Sequence, residues 1–458
     1  LKLFNTLNRE IEDFKPIKKG EVKMYVCGPT PYDKNHIGHA RTYIFFDFLR
    51  RYLEHQGNDV KLVINLTDID DKIIKASKKF DSWQVVPDTY TRYFFWMLDK
   101  LKIKPPYTFP HVTNHMQEII ELVQNLINKN YAYKLDDGIY FDISKQKDYG
   151  KLSKVNPLDP EIRRIEENKQ KKNPGDFAVW KFKKKNEPFW YAPFGDGRPG
   201  WHIECSAMSS TYFGNHFDIH GGGVDLVFPH HENEIAQSEA SLGTDKWVNY
   251  CVHVAFLTIS KEKMSKSLGN FVGIDQLLDS FAPEILRYYL LSAHYRTQLD
   301  FTWDKMKKAR EQWIKVVRAW YDVLQRNEQK LYGDVDLAKE LQMEFDGALK
   351  ALENDLATPE AYKNLHFIAS LVLANDLDEK SNSVALKALK TLNEIFMILP
   401  EKSWTQKEYK LATELAELRQ EMRNKEKFGA SDLIRDNLAE EGIKIEDTKD
   451  GPKVKFEL

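Results

Sequence analysis

Apolar residues alternate in EVKMYVCGPT, residues 21–30, where Val22, Met24 and Val26 lie two apart before Gly28 and Pro29 break the pattern. Period-two alternation ending in turn residues predicts a strand that runs into a tight loop. Beyond the loop, Ala40, Ile44, Phe45 and Phe48 recur at helical spacing. VKLVINL, residues 60–66, is almost continuously apolar, as in a strand covered on both faces. Strand, helix and strand in this order form a βαβ unit, which favours an α/β fold built on a doubly wound parallel sheet of the Rossmann type.

A second region opens near Pro110, where Thr113 is expected to cap a helix with Met116, Ile119, Ile120, Val123 and Ile127 on one stripe. Residues 131–200 are rich in Lys, Asp, Pro and Gly, with strand-like pieces such as GIYFDI. They read as an insertion ending around Pro199. Sheet character returns in HFDIHGGGVDLVF and WVNYCVHVAFLTI. From about residue 305 the pattern is helical. Segments 337–354, 359–374 and 383–398, broken by Pro359 and by the Ser/Asn run near residue 381, predict a helix bundle. From about residue 402 come a charged helix, a shorter helix and a hairpin. In that hairpin Ile443 and Ile445 face Val454 and Phe456 across Asp450-Gly451.

At 458 residues the chain has room for about three domains. A 42% hydrophobic share against 30% charged allows several packed cores and argues against disorder. With 67 basic and 69 acidic side chains the net charge of -2 announces no nucleic-acid binder, although a local positive track is invisible to composition. Three cysteines, Cys27, Cys205 and Cys251, are too few for a disulfide framework and fit a reducing compartment. No apolar stretch is long enough to span a bilayer, and the opening LKLFNTLNRE does not read as a signal peptide.

His36-Ile37-Gly38-His39 follows the first strand of the βαβ unit and opens its helix. A helix N-terminus attracts phosphate, imidazoles three residues apart share a face, and Gly38 lets a nucleotide base approach the backbone. The plain alternative is two surface histidines. Lys263-Met264-Ser265-Lys266-Ser267 reads as a mobile loop whose lysines suit a polyphosphate; the plain alternative is a solvated loop. Together, in this order on a nucleotide fold, HIGH and KMSKS resemble the signature of class I aminoacyl-tRNA synthetases. The stretches YVCGPTPYDKNHIGHARTY, NLTDIDDKII, GRPGWHIECSAMS, HFDIHGGGVDLVFPHHENEIAQSEA and KMSKSLGNF are similar to the cysteine-specific family.

Cys27 closes the strand, Cys205 lies in GWHIECS, and His230 and Glu234 are four apart on an expected helix, so they share a face. Two thiolates, an imidazole and a carboxylate suit tetrahedral zinc. Lone cysteines are also common as small buried hydrophobes, and without a C-x-x-C pair the spacing leaves both readings open. The resemblance puts the zinc ligands on Cys27, Cys205, His230 and Glu234, with His231 and Glu232 as rivals. It implies that His36, His39, Lys263 and Lys266 serve the polyphosphate with Mg²⁺. Thr30, Gly38, Gly221, Gly222 and Gly223 would meet the adenylate. Gly28, Thr67, Trp201, Asp225 and His231 would meet the amino acid, with Asp225 on its ammonium. Plain alternatives are a capping aspartate, a core tryptophan and a flexible glycine turn. Cys251 matches no metal position and reads as core.

The domains implied are a catalytic domain over 1–109 and 200–250, a connective insertion over 110–199 and a stem-contact region over 251–304. A helical tRNA-binding bundle over 305–401 and an anticodon module over 402–458 follow. Partners implied are L-cysteine, ATP and tRNA(Cys), with no membrane, for a monomeric cytoplasmic enzyme. Where the family offers an aromatic for base stacking, this chain has Val454, with Phe456 two residues on as a stacking substitute or an inward hairpin residue. The basic runs at 169–172 and 181–185 read as solvated faces or as acceptor-stem contacts. Two other functions share these motifs: a zinc-dependent ligase joining cysteine to an amino-sugar, and a non-catalytic zinc or nucleotide sensor.

Overall fold

The computed structural model describes residues 1–156, 170–263, 271–400, 406–440, 443–448 and 451–456. The chain divides into two compact units. One comprises Leu1–Met306 with Lys350–Glu360 and Glu394–Met397; the other comprises Lys307–Leu349, Ala361–Asn393 and Ile398–Leu458.

The first unit opens with the hairpin β1 (Lys2–Asn5) and β2 (Glu10–Asp13). The expected βαβ unit follows as β3 (Glu21–Val26), α1 (Ile37–His55) and β4 (Asp59–Ile64). Two helices, α2 (Asp71–Ser77) and α3 (Val85–Lys100), lead to α4 (Met116–Asn128). Strands β5 (Ala132–Lys134), β6 (Gly138–Phe141), β7 (Phe177–Phe182) and β8 (Gly197–Pro199) form an antiparallel sheet in chain order. The chain then runs through α5 (Trp201–Phe213), β9 (Phe217–Gly223), α6 (Glu232–Leu242) and β10 (Val248–Val254).

Strands β10, β9, β3 and β4 lie side by side in that order, all parallel. The chain leaves β3 toward β4 on one side, while β9 and β10 are added on the other. The direction therefore reverses between β3 and β9, and ligands of doubly wound sheets bind outside the strand ends at such a reversal. Cys27 and Gly221–Gly223 sit at those ends.

One core joins the sheet to its neighbours. Tyr25 and Val63 pack with Ile119 and Val123 of α4, Ile203 and Met208 of α5, Ile235 of α6, and Phe141 and Trp180 of the antiparallel sheet. The cap expected from Thr113 is not there. His115 occupies the cap position of α4, and Thr113 instead donates its N–H and hydroxyl to Asp68 at 3.0 and 2.6 Å.

The sheet-like run after residue 248 divides. Beyond β10, the strand β11 (Leu257–Ile259) pairs with β12 (Glu262–Lys263) and with β13 (Leu299–Phe301) in a separate sheet, with α7 (Ile274–Leu278) and α8 (Pro283–Leu291) between them in sequence. The remaining elements are α9 (Trp303–Gln329), α10 (Ala338–Glu353), α11 (Thr358–Ala374), α12 (Glu379–Phe396), α13 (Gln406–Asn424), α14 (Phe428–Glu440), β14 (Ile443–Thr448) and β15 (Gly451–Phe456).

Pro359 lies in the first turn of α11, where a missing N–H costs nothing. The Ser/Asn run expected to break the bundle lies inside α12. Most of its polar groups meet neighbours: Asp378 accepts the Ser381 N–H at 2.7 Å, Ser381 Oγ accepts the Leu337 N–H at 2.8 Å, and Asn382 Nδ2 donates to the Val323 carbonyl at 3.1 Å, while Asn382 Oδ1 has no hydrogen-bond partner among the described residues.

In the tail, Ile443 pairs with Phe456 and Ile445 with Val454, as the alternation predicts. Val454 packs against a small core of Ala412, Leu438 and Ile443. Asp450 and the Phe456 side chain lie outside the described residues. No described helix is long and apolar enough to cross a membrane.

Candidate metal centre and nucleotide site

Four elements converge at the carboxyl end of β3. It delivers Cys27, α5 delivers Cys205, β9 delivers His220, and the turn into α6 delivers His230, His231 and Glu234. All six are buried. Cys27 Sγ lies 3.9 Å from Cys205 Sγ and 3.6 Å from Glu234 Oε1. Glu234 Oε1 is 2.8 Å from His230 Nε2, and Oε2 is 2.9 Å from His220 Nε2. One donor atom from each of Cys27, Cys205, His230 and Glu234 falls within 4.8 Å of the other three. The same holds for Cys27, His220, His231 and Glu234, so two donor sets overlap on a shared thiol and carboxylate.

The charges are coupled. Burial opposes ionisation of Glu234, but His230 and His220 outweigh it and hold the carboxyl well below its usual range. Burial pushes the Cys27 thiol well up, with Cys205 and Glu234 adding to it. Burial would raise Cys205 too, yet the S–H donated by Cys27 and the His230 ring bring it to about 6. A buried carboxylate and thiolate this close call for a cation, and soft thiolate with imidazole and carboxylate is a zinc-type donor set.

Of the two rival ligands, Glu232 is engaged elsewhere. Its Oε1 accepts the Gly150 N–H at 2.9 Å, and its Oε2 accepts those of Leu152 and Ser153 at 3.1 and 2.6 Å. His231 remains. Its Nδ1 meets His253 Nε2 at 2.8 Å, and His253 Nδ1 meets Thr6 Oγ1 at 2.8 Å. His231 Nε2 has no hydrogen-bond partner among the described residues and belongs to the second donor set. Trp201 stacks on His230 at 4.3 Å while remaining 38% exposed, so its indole covers the cluster from the solvent side. His202 Nδ1 braces His230 Nδ1 at 2.9 Å.

At the start of α1, His36 is the N-cap and stacks on His39 at 3.7 Å. His36 Nδ1 accepts the N–H groups of Gly38 and His39 at 3.1 and 3.3 Å, and His39 Nδ1 accepts the His36 N–H at 3.3 Å. A ring nitrogen that accepts carries no proton, so both rings hold theirs on Nε2. Burial, then the His36 ring, lower the His39 pKa to about 3, which keeps that ring neutral. The result is a pair of N–H donors at a helix N-terminus, suited to phosphate oxygens.

The family model for the "tRNA synthetases class I (C) catalytic domain" matches residues 13–311. A cysteine–tRNA ligase of Thermococcus onnurineus (strain NA1) is 44% identical, across 98% of this chain and 98% of its own. One from Methanococcus maripaludis (strain C7 / ATCC BAA-1331) is 45% identical, across 98% of this chain and 97% of its own. The chain belongs to the cysteine–tRNA ligase family. Methionyl-tRNA synthetase of Mycobacterium tuberculosis, solved in complex with methionyl-adenylate, shares the fold at a TM-score of 0.63 and 15% identity, over 82% of this chain and 92% of that one.

The other residues expected from the cysteine–tRNA ligase pattern lie in varied surroundings. Gly28 is half-buried; its N–H donates to Asn65 Oδ1 at 2.8 Å, and a Cβ there would fall 1.5 Å from the Asn65 carbonyl oxygen. Thr67 is buried beside it, while Thr30 is half-buried. Asp225 is exposed, next to Gly223. Gly221 and Gly222 have packing reasons of their own, since added Cβ atoms would strike the Phe46 ring at 2.2 Å and Leu226 at 2.8 Å. Cys251 is core, its N–H bound to Asn5. The backbone of Lys263 lies in β12, while its side chain and residues 264–267 are outside the described residues.

In the basic runs, Lys172 pairs with Asp142, Lys181 with Asp71 and Lys183 with Asp196. Lys184 and Lys185 are exposed, and Lys169 lies outside the described residues. The sequence reading passed over His202, His220 and His253. His202 stands three residues before Cys205 in GWHIECS, and His220 stands just before the glycines in HFDIHGGG, so imidazoles near these segments were the available signal.

Proposed function

We propose that this chain is a zinc-dependent cysteine–tRNA ligase. It activates L-cysteine with Mg²⁺-bound ATP to cysteinyl-adenylate, releasing pyrophosphate, and passes the cysteinyl group to the 3'-terminal ribose of tRNA(Cys). The observation that carries this reading is the buried meeting of Cys27, Cys205, His230 and Glu234 at the end of β3. It lies one loop before the His36–His39 pair in the chain.

Cysteine and serine differ by one atom, and a shape-based pocket separates such analogues by only about 1–3 kcal/mol. A zinc ion held by Cys27, Cys205, His230 and Glu234 would supply a soft Lewis acid that takes a thiolate in preference to a neutral hydroxyl. His231, in reach of the same carboxylate, would meet the amino acid, and Trp201 would wall its side chain. Asp225 would pair with the ammonium.

The cysteine carboxylate attacks the α-phosphate of ATP, and the ribose hydroxyl then attacks the activated carbonyl and releases AMP. Neither step needs a protein nucleophile. The Nε2–H groups of His36 and His39 donate to phosphate oxygens, and Lys263 and Lys266 stabilise charge on the departing pyrophosphate. Thr30, Gly38 and Gly221–Gly223 would border the adenylate.

The segment 110–199 is read as the connective insertion, 305–401 as the bundle along the tRNA, and 402–458 as the anticodon module of a cytoplasmic enzyme. Relatives that match through the tail support tRNA over an amino-sugar as acceptor. The intact phosphate-binding histidines support catalysis over sensing.

The test is cysteine-dependent exchange of labelled pyrophosphate into ATP. Exchange should fall on chelation and return with Zn²⁺, and serine should support it at least about 10⁴-fold less well. Exchange that ignores chelation, or that accepts serine as well as cysteine, would overturn the zinc reading.

A further inference from the structure

The turn that carries His230 and Glu234 is held from behind by residues 149–153, which follow β6 in the chain. Glu232 Oε1 accepts the Gly150 N–H at 2.9 Å, and Oε2 accepts those of Leu152 and Ser153 at 3.1 and 2.6 Å. Beside it, Asn233 Oδ1 accepts the Tyr149 hydroxyl at 2.6 Å. Two turns on, the oxygens of Glu239 accept from Lys151 Nζ at 2.7 and 2.5 Å. Glu232, Asn233 and Glu239 are all buried, and Leu152 lies in the same core as Ile235 and Ala236 of α6.

Helical geometry makes this grip a lever on the cluster. Successive residues of a helix turn by about 100°, so Glu232 projects about 200° from His230 and about as far from Glu234. Glu239, seven positions on, returns to within about 20° of Glu232. Residues 149–153 therefore hold the face opposite the one that gathers the donor atoms of His230 and Glu234. Three N–H groups converging on one carboxylate, with a hydroxyl on the next side chain, fix the rotation of the turn about its axis. Cohesion alone accounts for this less well. Leu152 already seals the segment into the core, and a buried carboxylate carries a desolvation cost that apolar packing avoids. What the polar contacts add is direction.

We infer that Glu232 and Asn233 are positioning residues for the metal centre: gripped by Tyr149, Gly150, Leu152 and Ser153, they set the rotation at which the turn presents His230 and Glu234 to Cys27 and Cys205. Glu232 thus serves the ion without being its ligand. Residues that orient a metal's ligands usually affect metal affinity by about 10–100-fold when changed.

This inference rests on the zinc reading, and the experiment separates the two. Zinc affinity is measured by competition with a chromophoric chelator, and ligand geometry by the thiolate-to-cobalt charge-transfer band of the Co²⁺-loaded protein, both without cysteine or ATP. In Glu232→Gln one carboxylate oxygen becomes an amide NH₂ that faces N–H donors, so at least one of the three bonds is lost. Tyr149→Phe removes only a hydroxyl, and Asn233→Ala removes the acceptor of that hydroxyl. Glu232→Gln should weaken zinc about 10–100-fold and shift the cobalt band, and Tyr149→Phe should weaken it about tenfold. Since Tyr149→Phe and Asn233→Ala break the same bond, the double variant should bind zinc no worse than Asn233→Ala alone.

Glu232→Gln and Tyr149→Phe should also raise the KM for cysteine and leave that for ATP unchanged. If Glu232→Gln fails to fold, Tyr149→Phe decides, because it alters a half-buried side chain by its hydroxyl alone. Native zinc affinity and an unshifted band in the folded variants, whatever their stability in urea, would mean that these contacts only hold the segment in place. That result would overturn the inference while the zinc reading stands. A native chain that binds no zinc would overturn both.

Discussion

Asp68 gathers three donors from one loop: the Thr113 N–H, the Thr113 hydroxyl, and His111 Nδ1 at 3.2 Å. The hydrogen bond to Asp68, against burial, raises the His111 pKa above its usual value. A pKa higher in the folded state than the ordinary value of about 6.5 means that protonation favours folding. The contribution is fully present below about pH 6.5 and is lost as pH rises through the folded value. With the His111 side chain 32% exposed, it amounts to no more than about 1 kcal/mol. His111→Gln should therefore be less stable than the native chain at about pH 5.5 and approach it at about pH 8.5 in urea titrations; a gap that widens with pH would reject the assignment. His39 is the opposite case. With its pKa near 3 it stays neutral and takes up no second proton in the working range, so the pH profile of exchange between about pH 6 and 8 should be the same whether or not His39 is present. His39→Ala should lower kcat about 10²-fold with zinc content unchanged; loss of zinc would place His39 at the metal instead. The rival ligands illustrate what single residues reveal in sequence. In sequence the four-residue spacing from His230 favours Glu234 and leaves Glu232 a rival, and the amides of Gly150, Leu152 and Ser153, some eighty positions away, turn Glu232 aside.

Helix α1 does more than present its first turn. Arg41, 2% exposed, donates Nη1 to the carbonyls of Ala255 and Phe256 at 2.9 and 2.7 Å, and Nη2 to that of Thr297 at 2.5 Å. Ala255 and Phe256 join β10 to β11, the strand that pairs with β12. At the helix start, Ile37 N–H donates to the Val272 carbonyl at 3.2 Å. The element that carries His36 and His39 is thus tied to the strand leading toward Lys263 and to Val272. Arg41→Met should leave zinc content and the KM for cysteine unchanged while lowering exchange by at least about tenfold, because orientation errors are costly in a reaction run by positioning. Loss of a buried charge-assisted cluster should also cost about 3 kcal/mol in chemical denaturation. Native exchange in Arg41→Met would mean that the tie serves stability alone. None of this was legible from periodicity, which registers Arg41 only as a charge in an apolar helix. β3, β4 and α1 were legible because their apolar period matches the faces they bury. The bundle helices were legible for the same reason, but not the continuity of α12 through its serines, since the Ser381 hydroxyl finds its partner at the Leu337 N–H, far away in sequence, while Asp378 just ahead of the helix accepts the Ser381 N–H.

At the scale of the chain, the first compact unit draws on three separate stretches of sequence. Asp355, in the second stretch, accepts the Phe4 N–H at 2.8 Å, the Tyr295 hydroxyl at 2.6 Å and Arg296 Nε at 2.8 Å. The Asp355 N–H returns a bond to the Lys2 carbonyl at 2.9 Å. In the third stretch, Phe396 stacks on Phe48 at 5.2 Å, and its carbonyl accepts from the fully buried Arg287 at 3.1 Å. Arg287 Nη2 in turn meets Asp47 of α1 at 2.7 Å. The part of the chain that carries the metal cluster is therefore not closed at Met306, although the catalytic family model ends only a few residues later, at 311. Two shortened chains separate these contributions. One ending at Pro400 keeps both later stretches and lacks the tail; it should retain zinc and cysteine-dependent exchange while losing transfer to tRNA. One ending at Met306 leaves Arg287 without the Phe396 carbonyl, and Tyr295 and Arg296 without Asp355; a buried group left without its hydrogen bond costs about 1–3 kcal/mol. It should melt several degrees below the chain ending at Pro400 and lose exchange with it, as followed by differential scanning fluorimetry and labelled pyrophosphate. Equal melting and equal exchange in the two would mean that residues 1–306 form the catalytic unit unaided, and that Asp355 and Phe396 serve only the bundle.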